Sequence, residues 1–402
     1  MCATILYHNK LQQMCLTKGF SMTELQELRR YRRDLHRIPE LDFDLPQTIA
    51  YIEGVLAPLA CEVTHPCPSC VCAFFDAGVG AARATAIRAD MDALPIQEQT
   101  GLPYASEVPG KMHACGHDAH TAMLLGAARA LKRAEASLTC RVRLIFQPSE
   151  ECDVSGAQVL IDNGVLEGVD EIVAIHVENA LQCGELGFCA GPFEAGCHPY
   201  TIEFIGKSAH ATMPQNGCDA LAMAVKAYNN IYLMKCREMD PFCQHVLSIS
   251  SLQAGHVHNA IPDYAKMLIS VRFYDLAVNE KIDARIKQIC CNAAQELDGE
   301  VRFTDHISSY PVINTPEATE HMARAAATVL GEGNAHPLSP KMYSEDFSHY
   351  LQDVPGALVQ LGTGNKAAGI TAPLHSNVFC IEESALRKGS EVFVQYVLEN
   401  MN

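Results

Sequence analysis

Within nine residues, Met112 to His120, the chain carries three histidines, a cysteine and an aspartate, directly before an apolar run. Thiolate, imidazole and carboxylate are zinc-class ligands, and Gly116 lets the backbone turn so that Cys115 and His117 point to one centre. Cys115 and His117 are therefore read as metal ligands. His113 and His120 read as ordinary surface or core histidines, and Asp118, at the start of the following helix, reads as its cap. Glu150 and Glu151 stand side by side after an apolar strand and Pro148, a costly place for two carboxylates unless cations neutralise them. Neighbours on an extended chain point opposite ways, so one of the pair ligates metal while the other faces an attacking water.

His176 follows the apolar run Ile172 to Ile175, and His375 follows Pro373 and Leu374 in a loop. Taken alone, either histidine is more often structural. Asp90 and Asp92 come just past the apolar run that starts at Ala84, and Asp92 is expected to orient a ligand histidine from behind.

The elements that must position these residues alternate. Leu25, Leu28, Tyr31 and Leu35 recur at helical spacing before Pro39, and a second helix is expected from about Leu45 to Leu59. Buried strands are expected over Ala84 to Arg88, Arg141 to Phe146 and Glu171 to Ile175, the last stopping at His176, with a helix from His117 to Arg133 between the first two. Helices alternating with apolar strands predict an α/β domain whose strand ends carry the chemistry. From about Cys197 the order becomes β-α-β-β-α-β: strands at 200–205, 246–252 and 265–274, helices at 220–234 and 279–296. This predicts an inserted ferredoxin-like sandwich over residues 197–307, with 22–196 and 308–402 forming a mixed-sheet catalytic domain flanked by helices, and 1–21 an extension.

A chain of 402 residues is long enough for two cores. With 48% hydrophobic and 19% charged residues it reads as folded throughout, and its net charge of −17 opposes nucleic-acid binding. No apolar stretch reaches the roughly 20 residues of a membrane span, and residues 1–20 lack the apolar core of a signal peptide. The expectation is a cytoplasmic protein whose 18 cysteines are reduced. Cys67, Cys70 and Cys72 form a cluster suited to zinc or redox chemistry, without a second ligand pair at matching spacing.

Several strings together resemble one family: Ala89-Asp90-Met91-Asp92-Ala93-Leu94-Pro95, Met112 to Thr121, and Phe146-Gln147-Pro148-Ser149-Glu150-Glu151. So do Arg33 to His36 with Pro39-Glu40-Leu41, Gly206 to His210, Asn259 to Pro262, and Ser344 to Phe347. The chain resembles the aminoacylase/carboxypeptidase-G metallopeptidases, in the branch of hippurate hydrolases, indole-acetyl-amino-acid hydrolases and N-acetyl-diaminopimelate deacetylases. The resemblance implies a site for two divalent ions (zinc, manganese, nickel or cobalt) held by Cys115, His117, Glu151, His176 and His375, with Glu150 as general base. It further implies that the inserted sandwich is a lid and homodimerisation domain. On it, His210 closes over the site, and Asn259 and Arg272 contact the substrate carboxylate or the oxyanion. The expected reaction is hydrolysis of an N-acyl amino acid.

Three rivals remain on the residues alone. A dipeptidase or carboxypeptidase would use the same metals. A non-catalytic metal-binding protein would have no use for Glu150. A cysteine hydrolase with Cys115 as nucleophile would leave Glu151, His176 and His375 idle.

Overall fold

The computed structural model describes residues 21–76 and 83–399. The expected extension over 1–21 therefore lies, but for Ser21, outside the described residues. The chain divides into two compact units, Met1–Gly191 with Ile313–Ser339 and Asp346–Asn402, and Pro192–Val312 with Pro340–Glu345. The second unit thus begins and ends about five residues outside the expected 197–307 and recruits the short 340–345 segment as well. That segment pairs with its first strand: Lys341 N–H donates to Phe193 O at 2.8 Å and Ala195 N–H to Tyr343 O at 2.8 Å.

The first unit is built on an eight-stranded mixed sheet. Its strands lie in the order Glu62–Thr64, Val71–Phe75, Arg141–Gln147, Ala84–Asp90, Glu171–Gln182, Gly356–Gly364, Leu186–Phe188 and Ala335–Pro337. The four central strands are parallel. Ala84–Asp90 and Gly356–Gly364 are buried along their whole length, as strands covered on both faces must be. Parallel register places Asp90 opposite Gln147 and Arg88 opposite Ala174, so chemically active residues collect at one edge. Helices Met22–Arg37, His117–Ala134, Pro316–Leu330 and Ala385–Glu399 contribute to the core packed against it. His117–Ala134 is the most buried of them, its Ala and Gly residues letting neighbours approach closely: a Cβ at Gly126 would fall 2.4 Å from Leu28 Cδ2.

The strand expected to stop at His176 instead runs on to Gln182. Glu178 and Asn179 look like the end of an apolar strand, but both are buried, and Asn179 is fully bonded. Its amide donates to Ala372 O at 2.8 Å and Cys380 O at 2.9 Å and accepts from Thr363 Oγ1 at 2.8 Å. Asn179 thereby pins both ends of the loop that carries His375.

The second unit has the β-α-β-β-α-β order expected. Its four-stranded antiparallel sheet runs His245–Ala254, Tyr264–Phe273, Gly196–Ile205, Glu300–Asp305. Burial alternates along Gly196–Ile205 and Tyr264–Phe273, because only one face of the sheet is covered. Helices Ala220–Arg237 and Leu276–Gln295 cover it through Met223, Ala227, Ile231, Ile282 and Ile286. The fold is mixed α/β, as the element order predicted.

Candidate metal centre

The turn Ala114-Cys115-Gly116 leads straight into the His117 helix, and Gly116 makes it possible. Its φ is +85°, and a Cβ there would lie 2.4 Å from Val177 Cγ2. Two non-glycine residues at the centre also adopt left-handed φ, Ser149 at +54° and His375 at +62°. Each such residue costs about 1–2 kcal/mol, and both conformations are held by hydrogen bonds. Ser149 O accepts from Gly156 N–H at 2.9 Å, and His375 N–H donates to Ala114 O at 2.9 Å, stitching the His375 loop to the Cys115 turn.

Cys115, His117, Glu151, His176 and His375 come together. Cys115, His117 and His176 form one triad of donor atoms, and Cys115, Glu151 and His375 another; within each the atoms lie within 4.8 Å of one another. The two triads share the Cys115 sulfur. Cys115 Sγ is 3.4 Å from His176 Nε2, and His375 Nε2 is 3.1 Å from Glu151 Oε1. Glu150 Oε2 and Glu151 Oε1 each lie 4.0 Å from His117 Nε2.

The hydrogen-bond pattern fits cation binding. His176 Nδ1 donates to Val177 O at 2.7 Å, which leaves the Nε2 lone pair facing the cluster. His117 is wholly buried, and its ring nitrogens meet only carboxylate oxygens at long range, Asp92 Oδ1 at 3.5 Å from Nδ1 and Asp90 Oδ2 at 3.7 Å from Nε2. His113 is also buried and has no hydrogen-bond partner, so what fits His117 to a ligand position is the group of thiol, imidazole and carboxylate donors around it. Burial alone would lower the His117 pKa, but the carboxylates of Asp90, Asp92 and Glu151 drive it up to about 10. Burial, then Glu151 and Glu150, hold the Cys115 thiol well above its ordinary value. A field this negative favours any positive charge placed in it, and a metal cation also satisfies the thiolate.

Behind the donors lies a bonded support. His120 Nε2 accepts from Val177 N–H at 2.9 Å, so its Nδ1 carries the proton, given to Asp90 Oδ1 at 2.6 Å. Asp90 also takes Arg88 Nη1 at 2.7 Å, and Arg88 reaches Asp346 Oδ1 at 2.9 Å and Gln147 Oε1 at 2.8 Å. Asp346 further accepts from Ser155 Oγ at 2.8 Å and Ala157 N–H at 3.1 Å, while its own N–H reaches Glu150 Oε1 at 3.4 Å. Asp92 stands where an orienting carboxylate would, with Oδ1 3.5 Å from His117 Nδ1. It does something more: its two oxygens accept the backbone N–H groups of Glu150 and Glu151, each at 3.0 Å, fixing both carboxylates' main chain.

Asp118 is not a helix cap. Gly116 occupies that position without a side-chain bond, and Asp118 Oδ2 instead accepts from Arg32 Nε at 3.0 Å and His36 Nδ1 at 2.7 Å, all three wholly buried. A cap needs a free backbone N–H nearby; a buried guanidinium offers the stronger partner. His113 and His120 are both buried rather than on the surface. Sequence reasoning gave no role to Arg32, His36, Asn179 or Asp346. The signal for the first two was present, since Arg32 and His36 fall at i+4 spacing on the same face as Leu28, where a solvated charge has no place.

His210, Asn259 and Arg272 belong to the second unit. His210 lies on a two-residue strand whose partner is Ala260–Ile261, and Ala211 N–H donates to Asn259 O at 2.9 Å, so His210 and Asn259 are neighbours. His210 Nδ1 is engaged by Thr212, at 3.2 Å from its N–H and 2.8 Å from its Oγ1, and the residue is exposed. Arg272 lies apart from them on Tyr264–Phe273, donating to Ser344 Oγ at 3.2 Å.

A family model for peptidase family M20/M25/M40 matches residues 86–399, a span that holds every one of these donors. The chain belongs to this family. Among M20 relatives, it is 34% identical over 365 residues to thermostable carboxypeptidase 1 of Saccharolobus solfataricus, covering 89% of this chain and 91% of that one. It is 35% identical over 362 residues to N-acetyl-L-cysteine deacetylase of Bacillus subtilis, covering 89% and 84%. The solved M20 structure of the Bacillus subtilis YXEP protein, described as a dinuclear metal-binding peptidase, superposes with a TM-score of 0.80 at 31% identity, over 95% of this chain and 99% of that one.

Proposed function

We propose that this protein is a dinuclear metal-dependent amidohydrolase that cleaves N-acyl amino acids to a carboxylic acid and a free amino acid. The observation that carries this is the pair of donor triads sharing the Cys115 sulfur, with Glu150 grouped beside them with His117 and Glu151. Cys115, His117, Glu151, His176 and His375 would hold two divalent ions, zinc, manganese, nickel or cobalt. Such ions, when bound, polarise an amide carbonyl and make water a nucleophile at neutral pH.

Glu150 is the proton carrier. It takes a proton from the attacking water and delivers it to the leaving amine; its backbone N–H donates to Asp92 Oδ1 and its Oε1 accepts from Asp346 N–H, which holds it in place. His210, with Nδ1 engaged by Thr212, would donate from Nε2 to a developing oxyanion, and Asn259 and Arg272 take the substrate carboxylate or share that donor role. Asp92 orients His117. The enzyme works as a cytoplasmic homodimer through the second unit. Supporting this, His245–Ala254 is an edge strand with one unpaired side, and the described cysteines are free thiols. Among the described residues no helix is long and apolar enough to cross a membrane.

The carboxypeptidase relatives favour a second reading, peptide cleavage on the same centre. One experiment separates the two. Metal-stripped protein is given each divalent ion in turn and assayed on N-acyl amino acids, including hippurate and N-acetyl-diaminopimelate, and on dipeptides. Metal-restored release of amino acid from acyl substrates is expected; cleavage of dipeptides alone would transfer the protein to the peptidase reading, and activity without metal would reject both.

A further inference from the structure

A second cluster of reactive side chains in the first unit lies at the start of the strand Val71–Phe75. Cys67, Pro68, Ser69 and Cys70 form a tight turn closed by Cys70 N–H on Cys67 O at 3.1 Å. Cys72 follows, its sulfur 3.7 Å from that of Cys70. Cys70 and Cys72 are wholly buried, while Cys67 keeps 8% of its surface exposed, so the thiols run from the surface inward. We propose that Cys67 and Cys70 are a reversible dithiol/disulfide site, formed by exchange with a low-molecular-weight disulfide such as glutathione disulfide.

Geometry selects this pair. A closed four-residue turn brings its first and last Cα atoms within about 7 Å, the reach of a disulfide. Two residues between cysteines is also the spacing of known redox turns. Cys70 and Cys72, two apart on extended chain at about 3.3 Å per residue, sit at the far limit of that reach and are closed to an external oxidant. A structural zinc site is disfavoured because three thiols need a fourth ligand. The nearby imidazole, His65, spends Nδ1 on Cys70 O at 2.7 Å and Nε2 on Glu53 at 2.9 Å.

Burial and the Cys72 thiol push the Cys67 thiol up, partly offset by the backbone N–H groups of Ser69 and Cys70; burial and the Cys72 thiol push Cys70 well up. Cys67, which of the three keeps exposed surface, is therefore the attacking sulfur. Its thiolate displaces one thiol from the external disulfide, giving a mixed disulfide, and Cys70 then attacks the Cys67 sulfur and releases the second thiol. Two protein thiols become one disulfide, and one external disulfide is reduced by two electrons to two thiols, which take the two protons.

The turn is tied to the candidate centre. Ser69 Oγ donates to Phe43 O, the adjacent Asp42 carboxylate accepts from the Cys152 thiol, and Cys152 directly follows Glu151. In the same loop Glu40 O accepts Ala93 N–H at 2.8 Å, next to Asp92. A change in the turn therefore reaches the Glu150 loop, and the oxidised enzyme turns over at a different rate. That last consequence alone rests on the proposed hydrolase activity; the disulfide does not.

The test uses full-length, metal-loaded protein equilibrated in glutathione buffers of rising oxidised fraction, trapped with iodoacetamide and mapped by mass spectrometry. Expected is loss of two hydrogens and of two alkylation sites at Cys67 and Cys70, reversed by dithiothreitol, kept in Cys72→Ala and absent in Cys67→Ser and in both Cys70→Ser and Cys70→Ala. Three alkylated thiols at every ratio, a glutathione adduct that stays on Cys67, or an intact disulfide in Cys67→Ser would each overturn the site. If the disulfide maps as expected but wild-type hydrolysis is identical oxidised and reduced, the site stands and its link to the Glu150 loop falls.

Discussion

His117 and His120 stand three residues apart on one helix with rings 5.4 Å apart, and they are bonded in opposite ways. His120 has both nitrogens engaged, one by Val177 N–H and one by Asp90. The His117 nitrogens meet only carboxylate oxygens at 3.5 Å or more, Asp92 at Nδ1 and Asp90 at Nε2, although the ring is wholly buried. The same contrast separates two layers of the first unit: a donor layer held ready for a ligand, and a support of Arg88, Asp90, Gln147 and Asp346 that is bonded without one. Donor atoms grouped to meet a cation are held in place by the bonded residues behind them.

That comparison can be broken from either side. The largest effect is expected at Glu150: Glu150→Gln should lower turnover about 10²-fold or more while metal content, measured by atomic emission, stays at the wild-type level. Unchanged turnover would remove Glu150 as proton carrier. Asp346→Ala strikes the support, stripping Arg88, Gln147, Ser155 and Ala157 of a shared acceptor. It should cost about 3–5 kcal/mol in urea unfolding, the scale for breaking a buried charge pair. A loss no larger than that of an exposed substitution would mean that the support is not a unit. His120→Ala sharpens the boundary between the layers, since it should weaken metal binding by about 10–100-fold in a chelator competition without removing a ligand. Loss of one ion outright would put His120 in the donor layer.

The smallest effect is in acid. Burial would raise the Asp118 pKa, but the Arg32 guanidinium and His36 hold it well below the usual carboxylate range. A depressed folded pKa adds stability that is present above the unfolded pKa, about 3.9, and is lost as pH falls below it towards the folded value. Wild type should therefore lose stability below about pH 4 more steeply than Asp118→Asn, read as unfolding midpoint against pH. Parallel curves would show that Asp118 does not carry this charge in the folded state.

The legible part of the fold was the part written in local pattern. The β-α-β-β-α-β order of the second unit follows from alternation on Gly196–Ile205 and Tyr264–Phe273, because a sheet covered on one face must alternate. The strand end assumed at His176 was misread for the converse reason. Glu178 and Asn179 are polar, and nothing local shows that Asn179 is bonded to residues 184 to 201 positions away. The same holds for Asp118, whose partners lie 82 and 86 positions earlier on another helix.

By itself, the amino-acid sequence determined the ligand chemistry: a cysteine, histidines and paired carboxylates in short strings at strand ends, dense enough to announce a cation before any contact is known. Only the tertiary structure decided which of them share a centre, that Cys115 belongs to two triads at once, and which histidine of a neighbouring pair has both ring nitrogens hydrogen-bonded. The reason is physical. Residue type sets what an atom can bind, but whether a buried imidazole is satisfied depends on partners from strands and loops that the chain brings together only on folding.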